Sequence, residues 1–154
     1  MENLLTWLEC IGCGHRTDLL KERIFACPNC GDLYDVKRSH ADSSFRSFTN
    51  MFDERARSSF IGLGNKRMSP ELRSGVWRFK EWIMPHLESG QIITLGEGNV
   101  PIVRAGKSLS KWLGHANVWL ILEGMTPTGS FKDFGGTVMM SVAKAAGIKA
   151  IGCA

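Results

Sequence analysis

Several things are missing or scarce in this chain of 154 residues, and each absence removes a class of function. No apolar run approaches the roughly 20 residues that a membrane-spanning helix needs, so a membrane partner is not expected. The opening Met1-Glu-Asn-Leu-Leu-Thr-Trp-Leu lacks the basic region and small-residue cleavage site of a secretory leader, which makes the cytoplasm the expected compartment. Gly124 and Gly129 hint at a phosphate-cradling loop. The nucleotide pattern, however, requires Lys and then Ser/Thr directly after its last Gly, and here Ser130 and Phe131 intervene. The net charge of +4 is spread as −3 over residues 1–36, +5 over 37–86 and +2 over 87–154. The basic excess thus sits in a linker-like middle without a base-reading motif, and nucleic acid is not an expected partner. What remains, at 44% hydrophobic and 22% charged, has the composition of a soluble globular chain with room for about one domain.

Cysteine is scarce too, but four of the five form a pattern: Cys10-Ile-Gly-Cys13-Gly and Cys27-Pro-Asn-Cys30-Gly. Each is C-x2-C followed by glycine. Two such turns present four thiolates that can close a tetrahedron around zinc, while Gly14 and Gly31 allow the tight backbone that follows. Disulfides compete with this reading but are disfavoured without a leader. A site filled by four cysteines leaves no open position for water, so the expected zinc is structural and the expected segment, residues 1–36, is ribbon-like. His15 is read as a bystander and Cys153 as a buried strand thiol.

Residues 37–85 read as a linker and helical lead-in, with one short helix around Asp53 to Phe60. Ser69-Pro70-Glu71 is a helix start with Ser as N-cap and Pro at the first helical position. The stretch that follows carries Val76, Trp77, Phe79 and Trp82 as an aromatic packing face and ends at Pro85. Next, Ile92-Ile-Thr-Leu-Gly-Glu-Gly-Asn-Val-Pro101 places Glu97 between two glycines, a tight polar turn able to face a cleft. Gly106 to Leu113 is expected to be a short helix stopped by Gly114.

The last third is organised around Lys132. Val118-Trp-Leu-Ile-Leu122 has the length and continuous apolarity of a strand buried on both faces. Gly135 to Ala146 carries Val138, Met139, Val142 and Ala146 at helical spacing, with Gly147 as C-cap, and Lys149 to Ala154 begins a second strand-like run. This predicts a βαβ unit of parallel strands with its functional loop, holding Lys132, at the carboxyl end of the first strand. Backbone amides around Gly129 to Phe131 at the helix start can receive an anionic group. An amine partly desolvated against Phe131 suits Schiff-base chemistry, whereas a solvated first-turn lysine is the plain alternative.

Thr128-Gly-Ser-Phe-Lys-Asp-Phe-Gly135, preceded by Glu123-Gly and Pro127, resembles the cofactor-lysine motif of the fold-type II pyridoxal-phosphate enzymes, and among them the threonine synthase family. Ser74-Gly-Val-Trp-Arg78, Leu95-Gly-Glu-Gly98 followed by Pro101, and the cysteine-rich start resemble that family in the same order. Thr126 stands where Asn is usual and Phe134 where Arg is frequent; both border the site and bear on substrate choice. The resemblance implies an α/β fold, the amino-terminal part of a parallel-sheet, three-layer core beginning at residues 86–154. It also implies pyridoxal 5'-phosphate joined to Lys132, which would serve as anchor and acid/base, with Ser130 donating to the cofactor or substrate. Asp133 would cap the helix and orient the lysine. The implied substrate is O-phosphohomoserine, and the implied full-length assembly a homo-oligomer. Threonine or diaminopropionate ammonia-lyases share the lysine motif, and a zinc-ribbon binding module is the non-enzymatic alternative. The chain stops inside the second strand, so it is expected to be an amino-terminal fragment, by itself inactive.

Overall fold

The structure, a computed structural model, describes residues 6–20, 26–38, 45–61 and 69–152. Cys153 and the serines at 39, 43 and 44 lie outside them. Three short strands come first: β1 (Thr6–Cys10), β2 (Arg16–Thr17) and β3 (Tyr34–Arg38), in an antiparallel sheet with β1 at the centre. Register runs from Thr6 opposite Arg38 to Cys10 opposite Tyr34. The two cysteine turns hang from this sheet and are built alike. The Gly14 amide donates to the Cys10 carbonyl and the Gly31 amide to that of Cys27, at 3.0 and 2.8 Å. Both glycines are left-handed, with φ of 72° and 77°.

The middle of the chain is more ordered than its polarity predicts. Instead of one short helix around Asp53 to Phe60, α1 spans Phe45–Ile61. It is held by a partner far away in sequence. Arg55 makes a two-pronged ion pair with Glu81 at 2.7 and 2.8 Å and also donates to the Arg78 carbonyl. Beside it, buried Phe52 meets Phe79 and Trp82 edge-on, with ring centroids 5.0 and 4.9 Å apart. Tertiary packing therefore sets a helix that local sequence describes poorly.

The expected helix from Ser69 starts with Pro70 at its first position but is only one turn long, α2 (Pro70–Arg73). Ser74 ends it: its hydroxyl accepts the amides of Val76 and Trp77, competing with the helical pattern, and a 3-10 turn (Trp77–Phe79) and α3 (Lys80–Ile83) follow. This places Trp77, fully buried, at the centre of the core with Met84, Leu87 and Ile92. Leu19 from the cysteine-rich segment and Val138, Val142 and Ala145 from α5 (Lys132–Ala145) pack around them. Met139, expected on that face, is half exposed, because the core-facing stripe runs through Ala145 instead.

The βαβ expectation is corrected. Trp119–Ile121 forms β5, but it pairs antiparallel with β4 (Ile102–Arg104) across α4 (Lys107–Trp112), which Gly114 stops as expected. Residues 148–152 carry no strand. A parallel ladder needs a second strand beyond the helix, and here β5 takes the nearest edge in sequence. Nor is β5 buried on both faces: Trp119 and Ile121 are more than half exposed. Among the described residues the result is mixed α/β with two small antiparallel sheets and no parallel pairing.

A tight backbone approach joins the two motifs at 74–78 and 95–98. A Cβ added to Gly75 would lie 2.1 Å from the Asn99 nitrogen, and one added to Gly98 would lie 2.6 Å from the Gly75 Cα. Gly75→Ala is expected to cost about 3 kcal/mol in urea unfolding, whereas Gly90→Ala, where a Cβ meets nothing, changes stability by about 0.5 kcal/mol at most.

Candidate functional site

The four cysteine sulfurs come together, with all ligand atoms within 4.8 Å of one another. Cys10 and Cys30 are 3.4 Å apart and Cys13 and Cys27 3.5 Å, too long for disulfides and close to the ~3.8 Å edge of a tetrahedron of sulfurs bound at ~2.3 Å. Burial raises the Cys27 thiol, yet the amides of Asn29 and Cys30 favour its thiolate, and the balance is lowered to about 6. Cys30, although the Asp32 amide favours its thiolate, is pushed up to about 12 by its hydrogen bond with Cys10 and by burial. Four thiolates cannot share this space without a cation, so the donor set fits a tetrahedral metal. His15 stays outside it, its Nδ1 hydrogen-bonded to the Tyr34 hydroxyl at 2.7 Å.

The second constellation lies at the start of α5. The chain turns through a 3-10 segment (Glu123–Met125) and a left-handed Gly129, φ 78°, then enters the helix at Lys132, three residues before the expected start. Buried Thr126 donates to the Ser130 carbonyl at 2.9 Å, and the Ser130 hydroxyl accepts the Lys132 amide at 3.3 Å. Asp133 does not cap the helix, whose first turn has no side-chain cap. Its carboxylate instead accepts the Thr128 hydroxyl at 2.5 Å and amide at 2.8 Å, which hold the carboxyl below its ordinary range. Asp133 therefore fastens the Thr-Gly turn in front of the lysine. Lys132 itself is exposed and Phe131 is 59% exposed, so the expected apolar shielding of the amine is not formed.

A groove of about 230 Å³ has two walls. Pro127, Lys132, Asp133, Gly136, Thr137 and Met140 form one, and Ile93, Thr94, Leu95 and Glu97 form the other. Sequence reading had Glu97 facing a cleft; its burial was not foreseen. The residue is 2% exposed. Its carboxylate accepts hydroxyls from Ser74 (2.9 Å) and Thr94 (2.6 Å) and the Leu95 amide (2.8 Å). Burial raises this carboxyl, but the Thr94 hydroxyl and nearby amides outweigh it and keep the group below its ordinary 4.5.

Thr137 and Ser141 were missed by sequence reading. They lie one helical turn apart on the buried face of α5, and both bond the Ile93 carbonyl, at 2.6 and 3.3 Å. Ser141 also accepts the Ile93 amide at 2.9 Å. Trp77 donates its indole N–H to the Thr137 hydroxyl at 2.8 Å. Two hydroxyls four apart on an otherwise apolar helix face were the available signal.

The chain covers only part of its relatives. It is 32% identical over 145 residues to the threonine synthase of Methanocaldococcus jannaschii, covering 94% of this chain and 31% of that protein. To threonine synthase 2, chloroplastic, of Arabidopsis thaliana it is 33% identical over 116 residues, 72% of this chain and 20% of that protein. To the threonine synthase of Methanosarcina acetivorans it is 29% identical over 147 residues, 96% of this chain and 30% of that protein. The chain thus spans less than a third of the length of the curated relatives it matches. No protein-family model matches it.

Because the Glu97 carboxyl lies below its ordinary value in the folded protein, its contribution is complete above pH 4.5 and is lost as pH falls through the lowered value. Thermal midpoints between pH 7 and 3 should therefore fall less steeply for Glu97→Gln than for the parent, from a lower starting point.

Proposed function

Since the chain belongs to the threonine synthase family, we propose that it carries the cofactor-anchoring portion of a pyridoxal-phosphate enzyme converting O-phospho-L-homoserine and water to L-threonine and phosphate. The observation that carries this reading is Lys132 at the amino end of α5, exposed along one wall of a groove whose other wall holds Glu97. The residues fit the group: an accessible amine lies next to a loop whose turn is already fastened by Thr126 and Asp133. Pyridoxal phosphate, when bound, supplies an electron sink for carbanions on an amino-acid substrate.

Lys132 would hold the cofactor, and its amine would move protons at the substrate carbons. Ser130, whose hydroxyl accepts the Lys132 amide, is assigned as a donor to the cofactor or substrate. Asp133 acts through the Thr128 turn, in place of the helix-capping role first expected. Cys10, Cys13, Cys27 and Cys30 hold a structural zinc in a ribbon at residues 1–36. Residues 37–85 lead into the core that begins at 86–154.

Reduction with borohydride in the presence of pyridoxal phosphate should fix the cofactor on the peptide containing Lys132. Lys132→Ala should abolish that label and lower phosphate release from O-phosphohomoserine by about a thousandfold. A label on another lysine would remove the assignment. Elemental analysis should find one zinc per chain, lost in Cys27→Ser, and chelation should unfold the ribbon while releasing the metal.

A further inference from the structure

The buried carboxylate between the two glycine-containing motifs has a consequence for the lysine across the groove. Glu97 is nearly inaccessible, and its carboxylate is satisfied by donors from two separate stretches, Ser74 and the 94–95 turn. Its loop is an irregular one, with left-handed Gly96 (φ 90°), Gly98 (φ 88°) and Asn99 (φ 53°) around it. Stability alone is served as well or better by an apolar side chain at such a position, since removing a carboxylate from water is costly. What the carboxylate adds is direction: its acceptors fix where each donor sits.

The loop that Glu97 fastens lies across the groove from Lys132. Thr137 lies five residues along α5 from the lysine, and its hydroxyl accepts from the Trp77 indole and donates to the Ile93 carbonyl. Ile93, Thr94, Leu95 and Glu97 are the wall that faces Lys132, and Thr137 belongs to the lysine's own wall. The hydroxyl therefore ties the two walls together, and the carboxylate ties the far wall to the core turn at Ser74–Trp77. Resting on the cofactor assignment above, we propose that Glu97 is a positioning residue: by fastening the 93–97 loop that Thr137 ties to α5, it sets the spacing of the groove walls and so the placement of whatever Lys132 holds.

The test uses the full protein and pyridoxal phosphate, with far-ultraviolet circular dichroism at low temperature establishing that each variant is folded. Glu97→Gln should weaken capture of the cofactor by about tenfold and reduce the circular dichroism induced in the bound cofactor's absorbance band. Thr137→Val should do the same, and Thr137→Ser, which keeps the hydroxyl, should restore both. The double variant Glu97→Gln/Thr137→Val should be no worse than the more impaired single one, as expected for two residues on one route. If Glu97→Gln does not fold, the Thr137 pair decides the matter alone. Lower melting temperatures with unchanged capture and unchanged induced signal, or additive losses in the double variant, would overturn the inference while leaving Lys132 as anchor. Absence of capture by the parent protein would overturn the cofactor assignment and this inference with it.

Discussion

A carboxylate kept ionised inside the protein governs the arrangement of this chain. Glu97 enters the interior because two hydroxyls and a backbone amide converge on it, and Ser74 reaches it from a segment with another task. Ser74 ends one helix and starts the turn that delivers Trp77 to the core. Trp77 then holds Thr137, which holds the start of the 93–97 loop. Hydrogen bonds to a buried charge are directional and costly to break singly, so the set behaves as a unit. The apolar cluster around Trp77 supplies bulk burial, and the polar set decides which way the pieces face.

The cysteine segment is tied to the same centre. Leu19 packs on the Trp77 cluster, and Arg38, at the end of β3, donates to the Trp82 carbonyl. Helix α1 joins from the other side through Arg55 and Glu81, each about a quarter exposed or less. That pair is bidentate and partly shielded, which makes it a stronger tie than the open Arg16–Glu9 pair on the ribbon surface. The parts nearest the chain's beginning and the lysine-bearing helix thus share one packed neighbourhood, although their sequence signals are more than 100 residues apart.

Legibility in the sequence followed the range of the interaction. The cysteine turns, the stop at Gly114, Pro70 at a helix start and the Gly147 cap depend on neighbours within a few residues, and all are visible as patterns. Lys132 was visible through its motif, and Glu97 as an unusual acid between glycines. The long-range partners were not visible, since Ser74 lies 23 residues before Glu97 and Thr137 44 after Ile93, and no local pattern encodes such pairings. The strand at 119–121 was found, but its direction was not: continuous apolarity says that a segment avoids water, not which edge it takes. Helix α1 was underestimated because its anchors, Glu81 and Trp82, lie outside its own sequence.

The contact between Gly75 and Gly98 has one more implication. Most tight contacts in a protein join side chains, so an enlargement on one side can be absorbed by a reduction on the other. Here both sides are bare backbone, with the Gly75 Cβ direction aimed at the Gly98–Asn99 peptide and the Gly98 direction at the Gly75–Val76 peptide. Neither position has anything left to shrink. No second-site change at the partner can compensate for a first, and the two positions are closed to stepwise drift: the junction has to be inherited whole or rebuilt by moving both segments apart.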